Sequence, residues 1–346
     1  MKKPAVGIVA NPASGRDVRR LVAKASVFHT AEKCNMIQRV LAALGATGVE
    51  QVLMMPDLGG IAAGVYRALQ SPADSTSQRW PEVTFLDMPI EDSAVDSIRA
   101  VDRMMELGVA VIIVLGGDGT NRVVAKKSGN KPLIALSTGT NNMFPEIREA
   151  TIAGLAAGLV ATGAVPLDAA TIQNKVLRLT VNGIDQDLAL IDVCITNDYW
   201  TGAKALWRPE DLSDLFVTFA KADAIGLSAI AGFVHPVDRQ VGYGLKLELV
   251  PPGRGFITVR VPIAPGLIAP VGIADIREIY PNELWPLQTS RGAVALDGER
   301  EIEFGPRDQV VVSLDLDGPV TVDIGKVMEL AVEHRLFSEG FAPVSL

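Results

Sequence analysis

Over roughly its first 140 residues the chain alternates short apolar runs with segments of helical spacing, and few architectures accept that order. AVGIVAN, VEQVLMM, VTFLDM, VAVIIVL and PLIALST read as strands. Between them, AEKCNMIQRVLAAL sets Met36, Ile37, Val40, Leu41 and Leu44 on one helical face. GIAAGVYRAL and AVDSIRAVDRMMELG follow as helices, with Gly108 placed to cap the latter, and DGTNRVVAKK reads as a short one. Strands separated by helices pair in parallel, with the helices on both faces of the sheet.

After about residue 165 the texture changes. KVLRLTVNGIDQDLALIDVCI reads as two strands around Asn182-Gly183, a strong hairpin signal. DLSDLFVTFAKADAIGLSAIAGF is expected to be helical. GLKLELV, GFITVRV, AVALDG, EIEFG, QVVVSLDL and VTVDI then read as short strands, and KVMELAVEHRLF as a final amphipathic helix. The expected fold is an α/β domain with a parallel, Rossmann-type sheet over residues 1–150, then a mostly antiparallel β domain over 151–325. A C-terminal helix and tail over 326–346 returns to the first domain. A cleft between the domains is the expected site.

A net charge of -8 and a pI near 5.1 argue against nonspecific binding to nucleic acid or to an acidic membrane surface. IAGLAAGLVATGAV is too short and too rich in small residues to span a bilayer. The opening MKKPAVGIVANPASG runs too quickly into Asn-Pro and RDVRR to be a secretory signal. Cys34 and Cys194 are expected to be buried thiols, as suits a reducing cytoplasm.

The chemistry is expected where strands end. VIIVL runs into Gly116-Gly117-Asp118-Gly119-Thr120 and then a helix. Bare amides at such a turn, with the partial positive charge of a helix N-terminus, make an anion site that a phosphate can approach closely. Asp118 is either a helix cap or a carboxylate that holds a metal or takes a proton from an attacking hydroxyl. The next strand ends in Thr138-Gly139-Thr140-Asn141-Asn142, and the first in Asn11-Pro12-Ala13-Ser14-Gly15-Arg16. Three such turns around one crevice favour a nucleotide phosphate site over three separate caps.

GGDGT, preceded by NPASG and followed by PLIALSTGTNN, resembles the superfamily that joins NAD kinases, diacylglycerol kinases and 6-phosphofructokinases. The fuller string through MFP resembles the ATP-NAD kinase-like branch that includes acetoin catabolism protein X, and the resemblance covers nearly the whole chain. It implies phosphoryl transfer from ATP with Mg²⁺ to a hydroxyl, with the 2′-hydroxyl of the adenosine ribose of NAD as acceptor. By that resemblance Asp118 would orient or deprotonate the hydroxyl. Gly116, Gly117, Gly119 and Thr120 would hold phosphate, with Asn121 beside them. Thr138, Gly139, Thr140, Asn141 and Asn142 would bind nucleotide, and Asn11, Ser14 and Arg16 would flank the donor. Asp192, Asp297, Gly298 and Glu299 would reach in from the β domain, and no protein-held metal site is implied.

Two departures are visible. NAD kinases carry Ala-Leu-Asn-Glu-Val where this chain has Ala189-Leu190-Ile191-Asp192-Val193, so an isoleucine replaces an acceptor-binding amide. Diacylglycerol kinases carry Asn-Glu just after the glycine loop, and here Asn121-Arg122 follows. A nucleotide-binding accessory protein of acetoin catabolism and a lipid kinase therefore stay open as alternatives. Tyr199-Trp200 and Trp207-Arg208 are expected in the core or an oligomer contact, or over the cleft. Related kinases imply a homodimer or tetramer, with small-molecule nucleotides as the other partners.

Overall fold

Apolar runs such as AVGIVA and VIIVLG have no polar face to turn to water, so they belong in the middle of a covered sheet. The computed structural model describes residues 4–14, 28–70, 79–139, 141–197 and 209–338. The first ten elements are β1 (Ala5–Ala10), α1 (Thr30–Ala46), β2 (Gln51–Met54), α2 (Ile61–Gln70), β3 (Glu82–Phe85), α3 (Ala94–Leu107), β4 (Val111–Gly116), α4 (Asp118–Ser128), β5 (Leu133–Ser137) and α5 (Ala150–Ala161). Every residue of β1 and β4 is buried, whereas the edge strand β3 is partly open. β1 to β5 pair in parallel in the order β3-β2-β1-β4-β5. The winding reverses between β1 and β4, and the carboxyl ends of those strands leave the crevice where such sheets bind ligands.

Helices cover both faces. Ile37 and Leu41 of α1, Ile61 of α2 and Ala153 of α5 share one core, while Val101 and Met104 of α3 and Val124 of α4 share the other. α3 opens with a capping box between Ser93 and Asp96, and it closes on Gly108 at φ 74 as its sequence predicts.

The second half continues as β6 (Thr171–Gln173), β7 (Val176–Val181), β8 (Ile184–Ala189), β9 (Asp192–Thr196), β10 (Leu212–Val217), α6 (Ser228–Gly232), β11 (Gly244–Val250), β12 (Ile257–Ala264), β13 (Leu267–Ile279), β14 (Leu284–Pro286), β15 (Gly292–Leu296), β16 (Glu299–Phe304), β17 (Val310–Asp315), β18 (Val320–Val322) and α7 (Ile324–Glu333). Two antiparallel sheets, β12-β13-β11-β10-β9-β15-β16 and β14-β17-β7-β8, pack through Leu177, Leu179, Val193, Phe216, Val294 and Val312. Asn182 and Gly183 both take positive φ between β7 and β8, as a two-residue hairpin turn requires.

The chain then returns. β18 pairs in parallel with β5 and antiparallel with β6, so the first sheet extends to β5-β18-β6. Val327 and Ala331 of α7 enter the same core as α5, so the C-terminal helix comes back to the α/β half. α5, β6 and β18 also lie with that half, although all their residues but Ala150 fall within the 151–325 span expected for the β-rich one.

Two segments differ from their sequence reading. Residues 212–217 are a strand, and only 228–232 within the expected helix are helical. Leu212, Leu215, Phe216 and Phe219 repeat at helical spacing because the strand bulges between Leu212 and Asp214 and is then buried on both faces, Leu215 in one core and Phe216 in another. IDQDLALIDVCI is two strands in different sheets, with the break at Leu190-Ile191. Cys34 and Cys194 are buried and unbridged, and burial pushes both thiols up. Among the described residues no helix is long and apolar enough to cross a membrane.

Candidate active site

The carboxyl ends of β1, β4 and β5 are tied to one another by side chains. Asn11 Nδ2 donates to Thr120 Oγ1 at 2.9 Å, joining the β1 loop to α4. The Ser14 and Thr138 hydroxyls lie 2.8 Å apart, joining the β1 loop to the β5 loop. Lys33, fully buried on the first turn of α1, donates from Nζ to the carbonyls of Asn11, Pro12 and Ser14 at 2.9, 3.1 and 2.7 Å. An ammonium has three protons, and these three acceptors satisfy a charge that burial would otherwise make costly.

Asp118 is the first residue of α4 and does not cap it; Gly117 occupies the N-cap position. The Asp118 carboxylate instead crosses to the β5 loop. Oδ1 accepts from the Met143 and Phe144 N–H groups at 3.0 and 2.9 Å, and Oδ2 from Met143 at 3.2 Å. A Cβ at Gly117 would stand 2.9 Å from Asn142 Oδ1, so a side chain there would displace the Asn142 amide. Asn142 is held in turn by a 2.8 Å bond from Nδ2 to Ser137 Oγ.

These loops open into a cavity of about 490 Å³. Asn11, Ser14, Gly117, Asp118, Gly119, Thr120, Gly139, Asn141 and Asn142 line it from the first half, and Asp297 and Glu299 from the second. Gly116, Asn121, Thr138, Asp192 and Gly298 do not line it. Gly116 makes room for Thr120, Asn121 Nδ2 donates to Gly117 O within α4, and Thr138 is fully buried beside Ser14. Arg16, Thr140, Tyr199, Trp200, Trp207 and Arg208 lie outside the described residues.

The β-side motif is arranged differently from the expectation. Asp297 and Gly298, at φ 50 and 81, form the two-residue turn between β15 and β16. The Asp297 carboxylate turns inward and accepts from the Leu190, Ile191 and Asp192 N–H groups at 3.2, 2.8 and 3.3 Å. It gathers the amides at the break between β8 and the head of β9. Burial pushes its pKa up to about 6, against the pull of Arg122 and those amides. Ile191 packs with Phe144, Val176, Leu190 and Phe219 in an apolar cluster between the halves, and its side chain does not face the cavity. Asp192 is buried at the head of β9. Glu299 is the β-side acid nearest the glycine loop, with Oε2 3.9 Å from where a Gly119 Cβ would lie.

Residues 6–165 match the family profile of the ATP-NAD kinase N-terminal domain, and residues 175–317 that of the acetoin catabolism protein X C-terminal domain. Acetoin catabolism protein X of Cupriavidus necator (strain ATCC 17699 / H16) is 44% identical over 337 residues, which cover 96% of this chain and 94% of that one. The chain belongs to the acetoin catabolism protein X family. A solved structure from Bacillus anthracis str. Sterne, described as a candidate diacylglycerol kinase, aligns over 93% of this chain and 98% of its own at 13% identity. Its TM-score of 0.46 is too low to carry an argument.

In this member of the acetoin catabolism protein X family the cavity also recruits side chains that no motif marks. Arg122 reaches Asp187 at 3.2 Å and Asp297 at 3.8 Å, and Lys126 reaches Asp187 at 2.6 Å. Their i, i+4 spacing on α4 was the available signal, but their partners lie far along the chain. Asp57 and Asp96 line the cavity with their carboxylates already engaged by main-chain N–H groups. Carboxylates outnumber cationic side chains in this lining, so a triphosphate fits best with a divalent ion beside it. Among the described residues no three His, Cys, Asp or Glu side chains cluster to cage a metal. Such a lining would suit a Mg²⁺ ion carried on phosphate and touched by one or two carboxylates, and Glu299 lies beside the Gly119 turn.

Proposed function

We propose that this protein is a cytoplasmic ATP-dependent phosphotransferase of the NAD kinase type, making NADP by phosphorylating the 2′-hydroxyl of the adenosine ribose of NAD. One observation carries the reading: the ends of β1, β4 and β5 share one cavity at the point where the sheet's winding reverses, with Asp118 in its wall. Gly117 and Gly119 present uncovered main chain to phosphate. Asn141 and Asn142 offer amides to the nucleotide, and Ser14 and Asn11 close the donor side. Mg²⁺, when bound, supplies charge neutralisation for the phosphates.

The acceptor oxygen bonds to the γ-phosphorus as the bond to the departing ADP breaks, and the hydroxyl proton passes to the Asp118 carboxylate. Oδ1 accepts from the Met143 and Phe144 N–H groups and Oδ2 from Met143, and these bonds hold the carboxylate in the cavity wall for that transfer. Most of the rate comes from holding the hydroxyl in line with the phosphorus.

Purified protein with Mg²⁺-ATP and NAD should form NADP, and Asp118→Asn should bind ATP within about threefold of wild type while turning over about 100-fold more slowly. Transfer of labelled phosphate to some other hydroxyl compound, but not to NAD, would overturn the acceptor alone. No transfer to any member of an acceptor panel would overturn the phosphotransferase reading.

A further inference from the structure

The residues that hold Asp118 are themselves held from the other half of the molecule. Arg239 lies between α6 and β11, and its Nη2 donates to the carbonyls of Met143 and Phe144 at 3.2 and 3.0 Å. The N–H groups of the same two residues donate to Asp118. The Met143 carbonyl and the Phe144 N–H belong to one peptide group, which is planar and places its oxygen and hydrogen on opposite sides. One peptide dipole therefore lies between a guanidinium at its oxygen and a carboxylate at its hydrogen. Each charge polarises the peptide in the sense that strengthens the bond to the other.

The guanidinium is fixed independently. It sits 4.9 Å from the Phe144 ring centroid and 4.5 Å from that of Phe219, and both rings are buried. Burial lowers the Arg239 pKa, and the charges of Glu146, Asp118 and Asp238 act against that. From the far side of Asp118, Glu299 faces the Gly119 turn, while Arg122 is directed to Asp187 and Asp297. Among the described residues, Asp118 and Arg239 are the charged side chains that bond the 143–144 peptide.

We propose that Arg239 is a positioning residue for Asp118, acting through the 143–144 peptide, so that seating the β-rich half on the α/β half also sets the acid. Its consequence for turnover rests on the phosphotransferase reading; the coupling of the two side chains does not. The β5 loop carries Asn141 and Asn142 as well, so the same clamp holds the nucleotide side of the cavity.

The test is a double-mutant cycle on the full chain with Arg239→Gln, Asp118→Asn and the pair, followed by denaturant unfolding. The double variant's unfolding constant should fall short of the product of the single effects by about threefold or more. Additive effects would overturn the proposal. In turnover, Arg239→Gln should lower kcat about tenfold or more with ATP affinity within about threefold, and should lower it no further in the Asp118→Asn background. Equal loss in both backgrounds would mean that Arg239 acts apart from Asp118, and would also overturn it. Arg239→Lys, which keeps the charge and loses the fork, should recover part of kcat, and it supplies the same cycle if the Gln variant does not fold. If wild type transfers no phosphate, the functional reading falls while the unfolding cycle still decides the coupling.

Discussion

Ile191 stands where the resemblance to NAD kinases implies an acceptor-binding amide, yet its side chain is buried with Phe144 and Phe219 between the two halves. Its backbone N–H is bonded by Asp297, which fixes the way the residue faces. Returning an amide here would therefore not return an acceptor contact. It would bury an unsatisfied polar group in an apolar cluster, at a cost of about 1–3 kcal/mol. Ile191→Asn should unfold at lower denaturant than wild type and gain no turnover with NAD. A variant as stable as wild type, with faster NADP formation, would show that residue 191 faces the acceptor after all.

At the scale of elements, local sequence marks what local forces decide. Asn182-Gly183 and Gly108 each satisfy backbone requirements within a few residues, and each stands where its pattern puts it. β1 and β4 are legible for the same reason, since a fully buried apolar run belongs in the middle of a covered sheet. β10 was hidden because a bulge and burial on both faces removed a strand's simple alternation. The break between β8 and β9 was hidden because its cause, the Asp297 carboxylate, is over a hundred residues away. Lys33, Arg239 and the ion-pair role of Arg122 escaped notice likewise, each being defined by partners distant in sequence. The Asp297 junction has a pH signature. Its carboxyl is raised from 3.8 to about 6, so between those values the folded chain holds this proton and the unfolded chain does not. The group's contribution to stability is then full below about pH 4 and lost as pH rises through about 6, by up to roughly 3 kcal/mol. The stability of wild type minus that of Asp297→Asn should accordingly grow as pH falls from 6 to 4 in urea titrations. A difference that is flat or shrinks over that range would mean the carboxylate is stabilised by its amides and Arg122 more than burial opposes it.

For the whole molecule, the decisive feature is that the chain comes home. β18 sits between β5 and β6 and thus supplies the edge next to the strand whose loop carries Asn141 and Asn142. Val322, Val327 and Ala331 then close the core over α5. At about 1.5–3 kcal/mol for each large side chain buried, their loss removes several kcal/mol, a large part of what a domain of this kind has to spare. A chain ending at Asp317 keeps every strand of the β-sandwich but lacks β18 and α7. It should therefore retain a protease-resistant sandwich while the α/β half is cut readily within residues 28–139, and it should bind no ATP. Because β17 precedes the cut, loss of both halves together would mean that the sandwich depends on the seam made by Phe144, Ile191 and Phe219. A truncated chain that still bound ATP would show that the crevice between β1 and β4 is stable without the returning strand and helix.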